Sequence, residues 1–134
     1  MSVGAWDPNQ ATGDGFNIDM AILERFISLS ENDQLDNLTQ QLDDELINRQ
    51  ASLMKQEKNR WVETAAQLSS EQILHLIRFF TLAEMQLSGW EAGSESPVIW
   101  LTKILRQRKQ PLDRDMLLWI RANSDNRFIP NGAL

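Results

Sequence analysis

Residues 69–90, SSEQILHLIRFFTLAEMQLSGW, constrain the chain more than any other stretch. Ser69 followed by Gln72 has the form of a capping box. A side-chain oxygen accepts from an orphan amide, and a side chain three residues on reaches back. At about 100° per residue, Ile73, Leu76, Ile77, Phe80, Ala83 and Leu87 fall in one stripe, while Leu74, Phe79, Leu82 and Met85 spread round most of the remaining surface. A helix apolar nearly all round is covered on several sides, so this segment predicts the centre of an all-α bundle. One residue breaks the pattern. Glu84 lies inside the main stripe, four residues after Phe80 and seven after Ile77. A carboxylate there must be ion-paired, protonated, or turned toward a cavity or the surface, because burying it unpaired is costly.

Around that centre the remaining segments predict a bundle of about five helices. Residues 1–16, rich in Gly, Asp and Asn, predict a flexible leader, and residues 17–134 a single helical domain. A short helix starting at Asn17 or Asp19 carries Ile22, Leu23, Phe26, Ile27 and Leu29 on one face. Ser30 with Asp33 has the form of the next N-cap, opening a long polar helix over 31–68. Its apolar stripe shifts. Leu35, Leu38, Leu42, Leu46 and Leu53 form one line, whereas Met54, Trp61, Ala65 and Leu68 form another, displaced on the helical wheel. Either the helix kinks near Met54 or it changes neighbours there. Glu45 and Arg49, spaced i,i+4, predict a solvated outer face.

Gly89, Gly93 and the Ser96-Pro97 pair mark a loop, with Ser96 as N-cap and Pro97 at the first helical position. The next helix, about Pro97–Lys109, turns Val98, Leu101, Ile104 and Leu105 inward. Arg108 falls among those apolar residues. Pro111 ends this helix, and Asp113 caps a last one running to about Asn123. Phe128 and Ile129 predict that the irregular tail docks.

The strings HLIRFFTLAEMQLSGWEAG and SDNRFIPNG resemble a set of small helical proteobacterial proteins of unknown function. That resemblance implies a bacterial cytosolic protein and brings no activity, ligand or partner with it.

Charge and composition narrow the function classes. The net charge is −6, with ten acids against Arg25 and Arg49 in residues 1–50, and eleven bases against nine acids thereafter. The two halves are expected to help each other pack. The chain has no cysteine, which excludes disulfide frameworks and thiolate metal sites. The opening MSVGAWDPNQ has neither a basic nor an apolar signal region, and the longest apolar run, Met116–Ile120, is too short to cross a bilayer. The expected location is cytoplasmic, without membrane contact.

Glu84 is the best-motivated site residue. It is expected to meet Arg108, or failing that Arg121, across a helix interface. The alternative makes it the polar floor of a small pocket. His75, the one histidine, shares a face with Glu71 and Arg78. One reading makes it a general base oriented by Glu71, and the other a polar strip facing water or a neighbouring helix. No metal-ligand spacing and no phosphate cradle is present, so no catalytic residue, metal ligand or cofactor is assigned. Trp90, in the Gly-rich loop, is either a binding aromatic or packing over the bundle end. Lys103, Arg106 and Lys109, with Arg114, form a basic outer face that offers nucleic acid or an acidic partner a surface. Together these features predict a small non-enzymatic interaction or regulatory protein with a protein partner or self-association. The contact residues are expected among Trp90, Phe128 and the first half of the long helix. A nucleic-acid-associated factor is the alternative, followed by a small-ligand pocket or enzyme around Glu84 and His75.

Overall fold

The computed structural model describes residues 17–129, and every regular element among them is helical. The 1–16 leader and the tail beyond Ile129 lie outside the described residues. The elements are α1 (Met20–Glu31), α2 (Leu38–Gln41), α3 (Asp44–Gln50), α4 (Lys58–Ala65), α5 (Ser70–Gln86), α6 (Pro97–Gln107) and α7 (Arg114–Asn123). Two 3-10 turns, Ala51–Lys55 and Gly93–Glu95, join α3 to α4 and α5 to α6. No helix among the described residues is long and apolar enough to cross a membrane.

Helix α5 is the centre of the bundle, with α1 and α6 packed against it and α4 against α6. Its capping box forms as the sequence predicts, the Ser69 hydroxyl accepting from the Gln72 amide and the Gln72 side chain from the Ser69 amide. Ile73, Leu76, Ile77, Phe79, Phe80 and Ala83 have no exposure at all. Around them lies an aromatic core. Phe26 stacks on Phe79 with centroids 3.9 Å apart, and Phe80 meets Trp61 edge to face at 5.5 Å. Such pairs add about 1 kcal/mol each beyond the area they bury.

Trp90 belongs to this core. It is fully buried against Phe26 and Phe79, and its indole N–H donates to the Ile47 carbonyl at 2.9 Å. The Gly-rich loop therefore folds its aromatic inward, which corrects the expectation of a contact residue. The positive φ of Gly89 (88°) lets the chain turn back immediately after α5 and deliver the indole there.

The long 31–68 helix does not form. Asp33 does not open a helix; it ends α1 in a left-handed conformation (φ 58°). Its amide donates to the Ser30 carbonyl and that of Gln34 to Leu29, the Schellman pattern. The segment then breaks again at Leu42, before an N-cap at Asp43, and at Gln56, both extended. An unbroken helix over this segment would be about 57 Å long and would overhang so small a bundle. Broken, it buries both stripes: Leu35, Leu38, Leu42, Leu46, Leu53, Met54, Trp61, Ala65 and Leu68 are all in the core. The shift near Met54 is thus a change of element and not a kink. Gln86 holds the first break from α5, accepting from the Leu38 amide and donating to the Leu35 carbonyl, each at 2.8 Å.

The later elements follow the sequence closely. Ser96 caps α6 with Pro97 at its first position, and the Asp113 carboxylate caps α7 by accepting from the Met116 amide. Helix α6 ends in a second Schellman pattern, with Lys109 left-handed (φ 62°) and the Gln110 amide on the Leu105 carbonyl. Side chains other than glycine lose about 1–2 kcal/mol in that conformation. Asp33→Gly and Lys109→Gly should therefore each raise stability by about 1 kcal/mol, measured by urea denaturation. A loss of stability in both variants would contradict these helix ends.

Candidate functional site

Helices α5 and α7 lie side by side and run in the same direction. Arg78 meets Trp119 near the start of the seam, while Glu84 and Met85 meet Asn126 and Asp125 at its far end. Ile120 is the one residue of α7 that is fully buried. The last helix is therefore held lightly along its length and firmly just beyond its end.

That firm point is Glu84, 8% exposed in the buried face of α5. Its Oε2 accepts from the amides of Ala92 (2.8 Å) and Gly93 (3.1 Å), and Asn126 Nδ2 lies 3.2 Å from both carboxylate oxygens. Asn126 also donates to the Gly93 carbonyl at 2.9 Å and accepts from the Phe128 amide at 2.9 Å. The two amides open the 3-10 turn at Gly93, whose positive φ (56°) aims its N–H back at the carboxylate. Glu84 thus ties α5 to the loop before α6 and to the tail after α7. Glu84, Ala92, Gly93 and Asn126 meet at this point.

The predicted ion pair is absent. Arg108 is occupied elsewhere, its guanidinium donating to the carbonyls of Ala65 (2.8 Å) and Leu68 (3.0 Å) and to the Ser70 hydroxyl (3.2 Å). It satisfies carbonyls left over at the end of α4, a favourable place for a cation. Its position among apolar residues brings it to that turn. Arg121 is exposed on α7 and makes no contact with Glu84. Glu84 is matched by amide donors, so a cation is not required.

Two openings lie along the α5–α7 seam. The C-terminal one, of about 510 Å³, has Glu84 and Gly93 on its floor, with Met85, Glu91, Asp125 and Phe128 around it. Met85 and Phe128 are each 45% exposed. Phe128 is therefore exposed, while its neighbour Ile129 is buried and docks the tail. The N-terminal opening, of about 540 Å³, lies between the Glu71–Arg78 face of α5 and the Gln110–Trp119 segment. His75 lines it, and its Nδ1 pairs with the buried Ser30 hydroxyl at 2.8 Å. Its orienting partner is Ser30 from α1, not Glu71.

Of the basic set, Arg106, Lys109 and Arg114 are exposed and Lys103 is half-buried. Lys103 lies over the Trp100 ring at 5.3 Å, Arg106 has an intramolecular partner, and Lys109 forms the left-handed end of α6. Among the described residues, no group of three or more acids and histidines converges as metal ligands would. Asn126 carries the site geometry without having been singled out, and Ser30, expected as an N-cap, lies inside α1 and pairs with His75 instead. Asn126 had a local signal, since Asn two residues before an amide commonly forms an Asx turn; the Ser30–His75 pair, 45 residues apart, had none. No family model, no curated protein and no solved structure matches the chain.

Since Glu84 and Arg108 serve separate networks, their losses should add. Glu84→Gln and Arg108→Met are each expected to cost about 2 kcal/mol, and the double variant the sum within about 0.5 kcal/mol. A coupling above about 1 kcal/mol in chemical denaturation would restore the ion pair.

Proposed function

We propose that the protein is a small non-enzymatic interaction protein. It binds a protein partner at the C-terminal opening of the α5–α7 seam. The observation that carries this reading is the pair Met85 and Phe128, both 45% exposed and both flanking the opening whose floor is Glu84. Large apolar groups gathered at a concave place favour a contact surface. Glu91, Asp125 and Arg127 line the same opening, with the Arg127 guanidinium 5.7 Å from the Phe128 ring centroid, and the two carboxylates favour a partner that brings an apolar side chain beside a lysine or arginine. The roles of Glu84 and His75 point the same way. Glu84 fastens three segments, and His75 is tied to Ser30, so each has a structural duty.

A cytoplasmic location and kinship with the proteobacterial helical proteins belong to the same proposal. The cysteine-free composition supports the first, and the strings 75–93 and 124–132 the second.

The test is affinity capture with nuclease-treated lysate, comparing the natural chain with Phe128→Asp and Val62→Asp. Val62 is also exposed, at 41%, but belongs to α4. A partner retained by Val62→Asp and lost at least tenfold by Phe128→Asp is the expected result. A partner held equally by all three, or released by nuclease, would overturn the assignment to this opening.

A further inference from the structure

The N-terminal opening holds an arginine with no acceptor. Arg78 is half-buried, its Nε is screened from solvent without a hydrogen-bond partner, and its guanidinium lies 5.1 Å from the Trp119 ring centroid. That ring is its one hydrogen-bond, ion-pair or ring partner among the described residues. A guanidinium presents five N–H donors in a planar fork, and an enclosed donor left unmatched is costly.

His75 precedes Arg78 by three residues on α5 and faces the same groove. The Ser30 hydroxyl is buried, and among the described residues its partner is His75 Nδ1. Donation to Nδ1 satisfies the hydroxyl proton; the opposite tautomer would leave that proton without an acceptor. The imidazole proton accordingly sits on Nε2, a second donor toward the groove. Arg78 and His75 together form a place for a carboxylate, with the arginine able to bind it through two parallel N–H bonds.

The rim has the opposite character. Glu71, Asp113 and Asp115 line it, and Asp113 uses Oδ1 to cap α7, leaving Oδ2 open. Glu71 lies one helical turn before His75, close to the two donors, and Leu74, Met116 and Trp119 supply an apolar wall to the groove. A simple anion would meet three carboxylates, and a simple amine would leave Arg78 unmatched. A groove of about 540 Å³ is within the usual size for a small molecule.

We propose that this groove binds a small zwitterion with an apolar body, of the class of α-amino acids with large apolar side chains. The carboxylate lies on Arg78 and His75 Nε2, the ammonium on the acidic rim, and the side chain against Leu74, Met116 and Trp119. The site is separate from the partner surface at Met85 and Phe128, so either assignment can stand without the other.

The test is titration of the full chain with L-phenylalanine, hydrocinnamate and phenethylamine at one ionic strength, followed by calorimetry and by the indole N–H signals in NMR. L-Phenylalanine should bind at least tenfold tighter than either fragment and shift the Trp119 signal, and Arg78→Gln should weaken it at least tenfold. Phe128→Asp should leave it unchanged. Equal binding of phenethylamine, undiminished binding by Arg78→Gln, or no binding of L-phenylalanine at about 10 mM would overturn the proposal. If Arg78→Gln does not fold, Asp115→Asn carries the test. Its carboxylate is exposed; combined with Glu71→Gln and Asp113→Asn, this substitution removes every charge of the rim, and unchanged binding of L-phenylalanine by that triple variant would equally overturn the proposal.

Discussion

A carboxylate in the buried face of the central helix has to be matched, and much of the arrangement around α5 follows from how Glu84 is matched. Its partners are two amides at the start of the 92–95 turn and the amide side chain of Asn126. Charge-assisted bonds of this kind are about twice as strong as neutral ones. They join α5 to the 92–95 turn, whose loop Trp90 also anchors in the core, and to the tail after α7. The loop before α6 is placed by them, and so is the tail after α7, with Ile129 docking beside it. Since α7 itself buries a single residue fully, its alignment along α5 depends on this tie and on the Arg78–Trp119 contact. The seam between the two helices is consequently closed at a few points and open between them.

Much of the fold was legible in the sequence, where the determinants are local. The capping box at Ser69, Pro97 after Ser96, and the Asp113 cap each act within three residues, and each forms where the pattern places it. The apolar stripes of 31–68 name the right core residues because burial depends on hydrophobicity more than on helix continuity. The continuity itself was not legible. No glycine or proline interrupts that stretch; it breaks at Asp33, Leu42 and Gln56, and Gln86, 48 residues away from Leu38, holds the first break from across the bundle. Left-handed Asp33 reverses the expected role for the same reason: a non-glycine residue there gives little local sign.

The site shows a second kind of blindness. Glu84 stands out in the sequence, but a sequence displays side chains, so the partner it suggests is another charged side chain. Every residue except proline carries a backbone N–H, so a carboxylate matched by main-chain donors leaves no signature. Arg108 was likewise conspicuous, and it too is answered by backbone groups, the carbonyls of Ala65 and Leu68. Two conspicuous charges therefore suggested a pair and turned out to be two separate main-chain ties. For Trp90 the sequence left a binding aromatic and a packing one open, and burial of its ring against Phe26 and Phe79 decides for packing.

The central claim is that Glu84 holds the 92–95 turn and the tail through amide donors. Hydrogen exchange of the individual backbone amides tests it most directly, comparing the natural chain with Glu84→Gln and Arg108→Met. Protection of Ala92 and Gly93 should fall sharply in Glu84→Gln, while amides in the middle of α5 keep most of theirs and Arg108→Met leaves the turn protected. Unchanged protection of Ala92 and Gly93 in Glu84→Gln, or its loss in Arg108→Met alone, would contradict the account.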